Sequence, residues 1–478
     1  MKNTKAPHQF GSGIPRRAFL KGVLATTAVS AFPFTSLRSR AAAAPGEKVK
    51  LACIGIGNRG AEDVEALYKT GFANIVALCD VDMGGPQTLK VLKQFPNIPR
   101  FQDFREMFDK MGKDIEAVSI GVPDFTHFPI AMLAMSLGKN VYVEKPMART
   151  FQEVELMMQA EKKYKVAAQM GNQGHSGKNY FQFKAWVDAG IIKNVTKITA
   201  FMNGARRWHG WNISALPAAE PIPTTLNWDE WLNTAEFHQF NHNYVQGNWR
   251  CWYDFGNGAL GDWGAHILDT AHQFLHLGLP EEINAVKLDG HSDFIFPQAS
   301  TLSFKFPKRD AMPPVEVTWY DGVKNLPPLP PGFGKLAASE DVPPPTGGNV
   351  ETVHAPAPGK VIYGEDLIFK GGSHSATLDI IPAAKAKEMA SKLPAIPGGN
   401  SDHHKNFLLA CMGQEKCRSS FDIAGPLSQV LVLGVLAQRL NTKLTFDRET
   451  KQITNNPLAN QLLVGHPPRK GWEQYYKL

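Results

Sequence analysis

Cysteine is scarce in this chain: there are five in 478 residues, Cys53, Cys79, Cys251, Cys411 and Cys417, and no Cys-x-x-Cys pair among them. That excludes a disulfide-stapled scaffold and thiolate zinc ribbons, and no His-Glu-x-x-His motif offers another zinc site. Excess charge is missing from most of the chain. Lys and Arg number 51 against 44 Asp and Glu. However, Lys2, Lys5, Arg16, Arg17, Lys21, Arg38 and Arg40 all precede Ala44, with no acidic residue among them. Those residues account for the whole excess, so composition makes no case for nucleic-acid binding. No repeat with a period of about 20 to 50 residues is visible, which sets solenoids aside. What is present, 43% apolar and 20% charged residues, suits a globular chain with two sizeable cores.

The basic leader reads as an export signal. Arg16-Arg17-Ala18-Phe19-Leu20-Lys21 precedes a moderately apolar run over 22–37, and the small residues at 41–44 offer a cleavage site. This core resembles a twin-arginine signal, with Pro15 where Ser or Thr is more usual. A membrane anchor and a disordered basic tail are the alternatives. Gly22, Thr26, Thr27, Ser30 and Pro33 dilute the run below the roughly 18 apolar residues a spanning helix needs, so stable membrane insertion is not expected. Residues 1–44 are therefore set apart as a signal for the twin-arginine export machinery, implying a periplasmic or otherwise exported protein. Cys53 and Cys79, read as unpaired thiols inside strands, fit a route that carries folded protein.

Behind the leader, strands and helices alternate. Residues 49–55, 74–80, 117–122, 140–143 and 166–170 read as buried strands; 60–70, 104–111, 128–137 and 151–164 read as helices. That order predicts an α/β fold with a doubly wound parallel sheet over 45–168. A second α+β domain is expected over 169–478. Its strand-like stretches at 195–201, 282–288, 299–306 and 314–320 indicate an open, mostly antiparallel sheet. A Pro/Gly-rich insertion at 325–360 reads as a surface loop or lid, with an inert insertion as the alternative. The apolar helix at 426–440 is expected to pack back on the first domain.

The first strand closes in Gly55-Ile56-Gly57-Asn58-Arg59-Gly60. Glycines there allow a tight turn and close backbone approach to a pyrophosphate, and the helix N-terminus supplies amides for the anion. Asp80, at the end of the second strand and 20 residues past Gly60, can accept hydrogen bonds from ribose hydroxyls and repel an added phosphate. NAD is therefore expected, with NADP the alternative, since Arg59 could instead hold a 2′-phosphate. Glu144-Lys145-Pro146 ends another parallel strand, where side chains meet the ligand crevice. Asp262 and His266 lie four apart, on one face of a helix, spaced for a carboxylate to orient an imidazole. By itself this pair also fits a structural hydrogen bond or part of a metal site. Asn172, Gln173 and His175 follow at the domain junction, and Trp249, Arg250 and Trp252 precede Asp262. Aromatic faces and planar donors suit a sugar; tryptophans in the core and an ordinary ion-paired arginine are the alternative. Asp402-His403-His404 looks like a capped helix start rather than a metal pair.

The glycine fingerprint, Glu144-Lys145-Pro146 and Asp262-Trp263-Gly264-Ala265-His266 occur in an order that resembles the Gfo/Idh/MocA oxidoreductases over nearly the whole chain after the leader. The resemblance implies a catalytic set of Lys145, Asp262 and His266, and cofactor contacts from Gly55, Gly57, Asn58, Arg59, Gly60, Asp80, Glu144 and Lys145. It places Asn172, His175, Trp249 and Arg250 around a sugar or polyol, requires no metal, and implies a homo-oligomer formed through the exposed face of the second sheet. In the mechanism it suggests, His266 removes a hydroxyl proton, Asp262 sets its tautomer and Lys145 stabilises the reacting oxygen, although Lys145 could itself be the principal acid/base. Three activities fit. One is a net sugar or polyol oxidoreductase, which includes a glucose–fructose oxidoreductase-like exchange between two sugars. Another is a redox-assisted glycosidase or lyase, similar to the NAD-dependent α-N-acetylgalactosaminidases. A binding protein with a fossil site is the third.

Overall fold

The computed structural model describes residues 46–202, 204, 210–322, 324–336, 357–399 and 401–478. The expected signal over 1–44, and 337–356 within the Pro/Gly-rich stretch, lie outside the described residues.

Strands β1 (Val49–Ile54), β2 (Ala73–Cys79), β3 (Arg100–Phe101), β4 (Ala117–Ile120), β5 (Asn140–Glu144) and β6 (Ala168–Gly171) form one parallel sheet in the order β3-β2-β1-β4-β5-β6. Between them run helices α1 (Asn58–Lys69), α2 (Pro86–Gln94), α3 (Phe104–Met111), α4 (His127–Ser136) and α5 (Phe151–Tyr164). The helices start for local reasons. Asp103 caps α3 by accepting the Arg105 N–H, and Thr150 with Glu153 forms a capping box on α5. Gly60, Val64 and Leu67 make the buried stripe of α1. Strand order reverses between β1 and β4, which opens a crevice at their carboxyl ends. The expected boundary at 168 falls short of this sheet: β6 pairs with β5 as far as Gly171, so the first domain's strands run three residues further.

The second sheet has nine strands in the order β13-β12-β11-β7-β10-β9-β8-β14-β15. They are β7 (Lys197–Met202), β8 (Glu282–Asp289), β9 (Ala299–Phe306), β10 (Val315–Asp321), β11 (Gly359–Tyr363), β12 (Ile368–Gly372), β13 (Leu378–Ile381), β14 (Lys443–Asp447) and β15 (Gln452–Ile453). Among the described residues only the β7–β10 pair of this sheet is parallel, so the open, mostly antiparallel sheet is as expected. With it come helices α6 (Lys178–Asp188), α7 (Trp228–Leu232), α8 (Gly258–Ile267), α9 (Asp269–Phe274), α10 (Ala383–Met389), α11 (His403–Cys411), α12 (Phe421–Leu440) and α13 (Pro457–Val464). Helix α12 is apolar nearly all round, and it is buried against α5 of the first domain and α8 of the second. The tail returns as well: the Tyr476 hydroxyl donates to Glu153 at 2.7 Å, and the Arg105 guanidinium lies 4.5 Å over the Trp472 ring.

The described part of the Pro/Gly-rich stretch covers the sheet rather than the crevice. Phe333 is buried with Phe201, Val361 and Ile381, and Lys370 Nζ donates to the carbonyls of Phe333 and Lys335 at 2.8 and 2.6 Å. It thereby occupies part of the face expected to mediate assembly.

One buried charge stands out on this scaffold. Lys360 of β11 has no exposed surface, and its Nζ donates to the Gly372 carbonyl at 3.2 Å. Burial pulls its pKa from 10.5 down to about 8, against the opposing charge of Asp269. Between those two values the unfolded chain holds more protons than the folded one, so this lysine makes stability rise with pH over that window. Lys360→Met is expected to flatten this rise. It should also stabilise the fold at pH 7 by up to about 3 kcal/mol, at 1.36 kcal/mol per pKa unit; urea unfolding of both proteins from pH 7 to 10.5 checks this.

Candidate active site

The turn after β1 is shaped by exclusion of side chains. Gly55 has φ +75°, and a Cβ there would lie 2.7 Å from the Gly121 backbone. A Cβ on Gly60 would lie 1.9 Å from the Gly55 carbonyl oxygen. Helix α1 is thus pressed onto the strand, and no side chain caps its N-terminus at Gly57. Asn58 opens the helix with φ 43°. Asp80 braces this turn: its Oδ2 accepts the Ile56 N–H at 2.8 Å, and Oδ1 accepts the Asp82 N–H at 2.9 Å. Burial pushes its carboxyl up to about 6 despite these bonds. Acceptor capacity remains on this carboxylate for a ribose hydroxyl. Bare glycine backbone, uncapped helix amides and a strand-end carboxylate together fit a dinucleotide, which Gly55, Gly57, Asn58, Gly60 and Asp80 would hold.

Arg59 and Glu144 do other work than expected. The Arg59 guanidinium donates to Asp63 Oδ1 at 2.7 Å, Glu62 Oε2 at 2.7 Å and Glu144 Oε1 at 3.3 Å, which turns it toward three carboxylates and away from a 2′-phosphate role. Glu144 Oε1 also accepts from Gln173 Nε2 at 2.6 Å, and that nitrogen lies 2.8 Å from the Tyr142 hydroxyl. His404 Nε2 closes the ring, 3.3 Å from both Tyr142 Oη and Asp63 Oδ1. Burial and the Asp63 charge raise the Glu144 carboxyl to about 7. Glu144 is therefore a buried support of the glycine turn and not an exposed cofactor ligand.

Above this ring, Lys145 extends from the end of β5 to α8. Its Nζ donates to Asp262 Oδ1 at 2.5 Å and to the Asp262 carbonyl at 3.0 Å, and the two side chains are only 13% and 9% exposed. His266 follows one helical turn later. The carboxylate expected to orient His266 faces the lysine, while the imidazole lies flat on His374, with centroids 3.9 Å apart and planes 15° apart. Its Nδ1 is buried without a hydrogen-bond partner. Burial, His374 and Lys145 drive the His266 pKa well below its ordinary value, opposed by Asp262.

The expected substrate residues separate. Asn172 and His175 are 2% and 1% exposed, and both turn to Asp269 Oδ2, at 3.5 and 3.2 Å. Asn172 Oδ1 also accepts from Ser419 Oγ at 2.7 Å, so these residues join the domains instead of lining a sugar pocket. Trp249 and Trp252 belong to a buried aromatic cluster with Trp228, Tyr244 and Phe255. Trp249 lends its face to Arg250, whose guanidinium sits 4.1 Å from the ring centroid. Arg250 is half-buried and influences Asp124, which accepts the Asn257 backbone and side-chain N–H groups, both at 3.1 Å, and is raised to about 6 by burial. The sequence reading missed Gly121, Asp124 and His374. The strand-end position of Gly121-Val122-Pro123-Asp124 was an available signal for two of them; His374 carries none.

At the adenosine end, residues 221–227 of the second domain cross the loop that follows Asp80. Leu226 pairs with Asp82 as an antiparallel bridge, Asn227 N–H donates to the Val81 carbonyl at 2.8 Å, and Met83 N–H to the Thr225 carbonyl at 3.2 Å. Glu230 of α7 binds Arg105 of α3 alongside. Among the described residues no group of His, Cys, Asp and Glu could hold a metal ion.

Two family models match this chain: an oxidoreductase family with an NAD-binding Rossmann fold over residues 49–172, and its C-terminal α/β domain over 177–295. Together they span more than half of the sequence. An inositol 2-dehydrogenase of Salmonella paratyphi B is 30% identical over 146 residues, which is 30% of this chain and 43% of that protein. A glycosyl hydrolase family 109 protein of Shewanella sp. (strain ANA-3) is 29% identical over 165 residues, 30% of this chain and 36% of that protein. The matched stretch is thus less than half of either relative. In fold, the chain resembles the WlbA dehydrogenase of Bordetella pertussis, solved with NADH and UDP-GlcNAcA (TM-score 0.54, 13% identity, 84% and 99% of the two chains). It also resembles the aldose–aldose oxidoreductase of Caulobacter crescentus (TM-score 0.52, 15% identity, 84% and 100%).

Gly60→Ala tests the cradle. The added carbon meets backbone rather than a movable side chain, so NAD affinity is expected to fall at least about 100-fold, or about 2.7 kcal/mol. Calorimetric titration with NAD measures it, and unchanged affinity would exclude this site.

Proposed function

Because the chain belongs to the Gfo/Idh/MocA oxidoreductase family, we propose that it is an exported, NAD-dependent enzyme acting on a secondary hydroxyl of a sugar, polyol or glycoside. The observation that carries this reading is the 2.5 Å contact of Lys145 with Asp262 beside His266, at the carboxyl edge of the nucleotide-binding sheet. When bound, the nicotinamide supplies the hydride acceptor or donor. Lys145 donates a hydrogen bond to the reacting oxygen, and Asp262 holds the ammonium in position. His266, kept neutral by burial and its cationic neighbours, accepts the hydroxyl proton. Arg250, flattened on Trp249, offers planar donors to the remaining hydroxyls.

Export rests on the twin-arginine motif at Arg16-Arg17 and agrees with the five cysteines, all among the described residues, forming no disulfide. Copies of the chain associate through the part of the second sheet's face that the 324–336 segment leaves open.

A second reading, a glycosidase or lyase that oxidises its substrate transiently and ends with the cofactor unchanged, is supported by the similarity to a family 109 glycosyl hydrolase. The strap over the Asp80 loop suits both readings, because it favours a cofactor that stays bound. Purified protein incubated with sugars, polyols and p-nitrophenyl glycosides, with reduced nicotinamide and cleavage followed together, distinguishes them. Reduction without cleavage supports the oxidoreductase, and cleavage without net reduction supports the second reading. Lys145→Met and His266→Gln should each lower kcat by roughly 10²- to 10⁴-fold while NAD affinity is maintained. Full turnover in either variant would remove that residue from the chemistry.

A further inference from the structure

His374 lies in the site without a part in the transfers described above. It follows β12 in Gly371-Gly372-Ser373-His374-Ser375, with its backbone in the left-handed region at φ 54°. A histidine stays in that region only when its surroundings impose it. Three contacts do so. The His374 N–H donates to the His266 carbonyl at 2.9 Å, and the Ser375 carbonyl accepts the Asn179 N–H at 3.2 Å. A Cβ added to Gly174 would lie 2.5 Å from the His374 backbone, so the 172–177 loop presses directly on this segment. Wedged between that loop and α8, the His374 ring is laid parallel to His266 at 3.9 Å. Ser373 Oγ lies 2.9 Å from its Nδ1, and the Trp263 ring closes the edge at 5.6 Å and 79°.

Two imidazoles stacked this closely in a buried site cannot both take up a second ring proton and become charged. The other charges around His266 are Lys145 from the end of β5, Arg59 from α1 and Asp262 from α8 itself; of these, only Asp262 favours the imidazolium. We infer that His374 is a positioning residue: its ring fixes the plane of the His266 imidazole and, by stacking on it, keeps His266 in the proton-accepting form. The functional meaning of this role rests on His266 being the proton acceptor. The physical arrangement does not.

His374→Asn and His374→Gly both tolerate the left-handed backbone and remove the ring, so one can stand in if the other folds poorly. Histidine-selective NMR of the full-length protein, with the His266 signal assigned through His266→Gln, reads the ring without any turnover. In the wild type the His266 signal should remain that of a neutral ring through the mildly acidic range. In either variant its titration should move up by about one pH unit or more. Where the enzyme turns over, the acidic limb of kcat/KM should move up with it, with NAD affinity unchanged. A His266 titration unaltered in both variants would overturn the inference. A shifted titration in a protein that oxidises no sugar would leave the stack intact and overturn the proposed function instead.

Discussion

The contact between the Lys145 ammonium and the Asp262 carboxylate is the interaction on which the site depends. It spans 117 residues of sequence and joins the end of a parallel strand to a helix of the other domain. Both groups are nearly out of water, so breaking this pair is far more costly than losing a surface pair. The reactive groups are therefore assembled only when the two domains are docked. Helix α12 enforces that docking by packing on α5 with one side and on α8 with another. Folding of the core and construction of the site are in this sense one event.

Beneath that contact lies a ring of Arg59, Asp63, Glu144, Gln173, Tyr142 and His404, and it has the same inter-domain character. His404 comes from α11, Gln173 from the loop after β6, and the rest from the nucleotide-binding domain. Arg59 holds the Asp63 carboxyl below its usual range, with help from His404, while Glu144, burdened by burial and by Asp63, is pushed up to about 7. Because Arg59 belongs both to this ring and to the glycine turn, the turn is tied to the second domain.

The parts legible in sequence were those encoded locally. The glycine turn, the carboxylate ending β2 and the Glu-Lys-Pro ending β5 each announce themselves within a few residues, and β9 falls where its apolar run placed it. The partner of Asp262 was not legible: helical spacing points to His266, but a lysine distant in sequence and adjacent in space takes the carboxylate. Asn172 and His175 looked like loop donors because their neighbourhood is rich in Gly and Asn; in the fold that loop is clamped between domains and turned inward. Strands β11, β12 and β13 escaped notice because they are only four or five residues long, contain Gly359, Gly371 and Gly372, and follow a Pro-rich stretch that argues against any sheet. Missing them meant missing His374, which follows β12 and is wedged against α8 and the 172–177 loop.

The strap over the Asp80 loop links this architecture to the choice of chemistry. Residues 225–227 hold residues 81–83 by a bridge and backbone hydrogen bonds, and Gln102 Nε2 adds bonds to the carbonyls of Val81 and Thr225 at 3.0 and 2.9 Å. The loop they fasten follows the very carboxylate suited to the adenosine ribose, so moving that loop requires several hydrogen bonds to break together. An enzyme outside the cytoplasm has little free dinucleotide to draw on, and a cofactor that does not leave must be restored in place. Under the proposed export, the second domain's hold on the Asp80 loop thus matters for the reaction as much as for the fold, because a retained cofactor must be oxidised and reduced within one site.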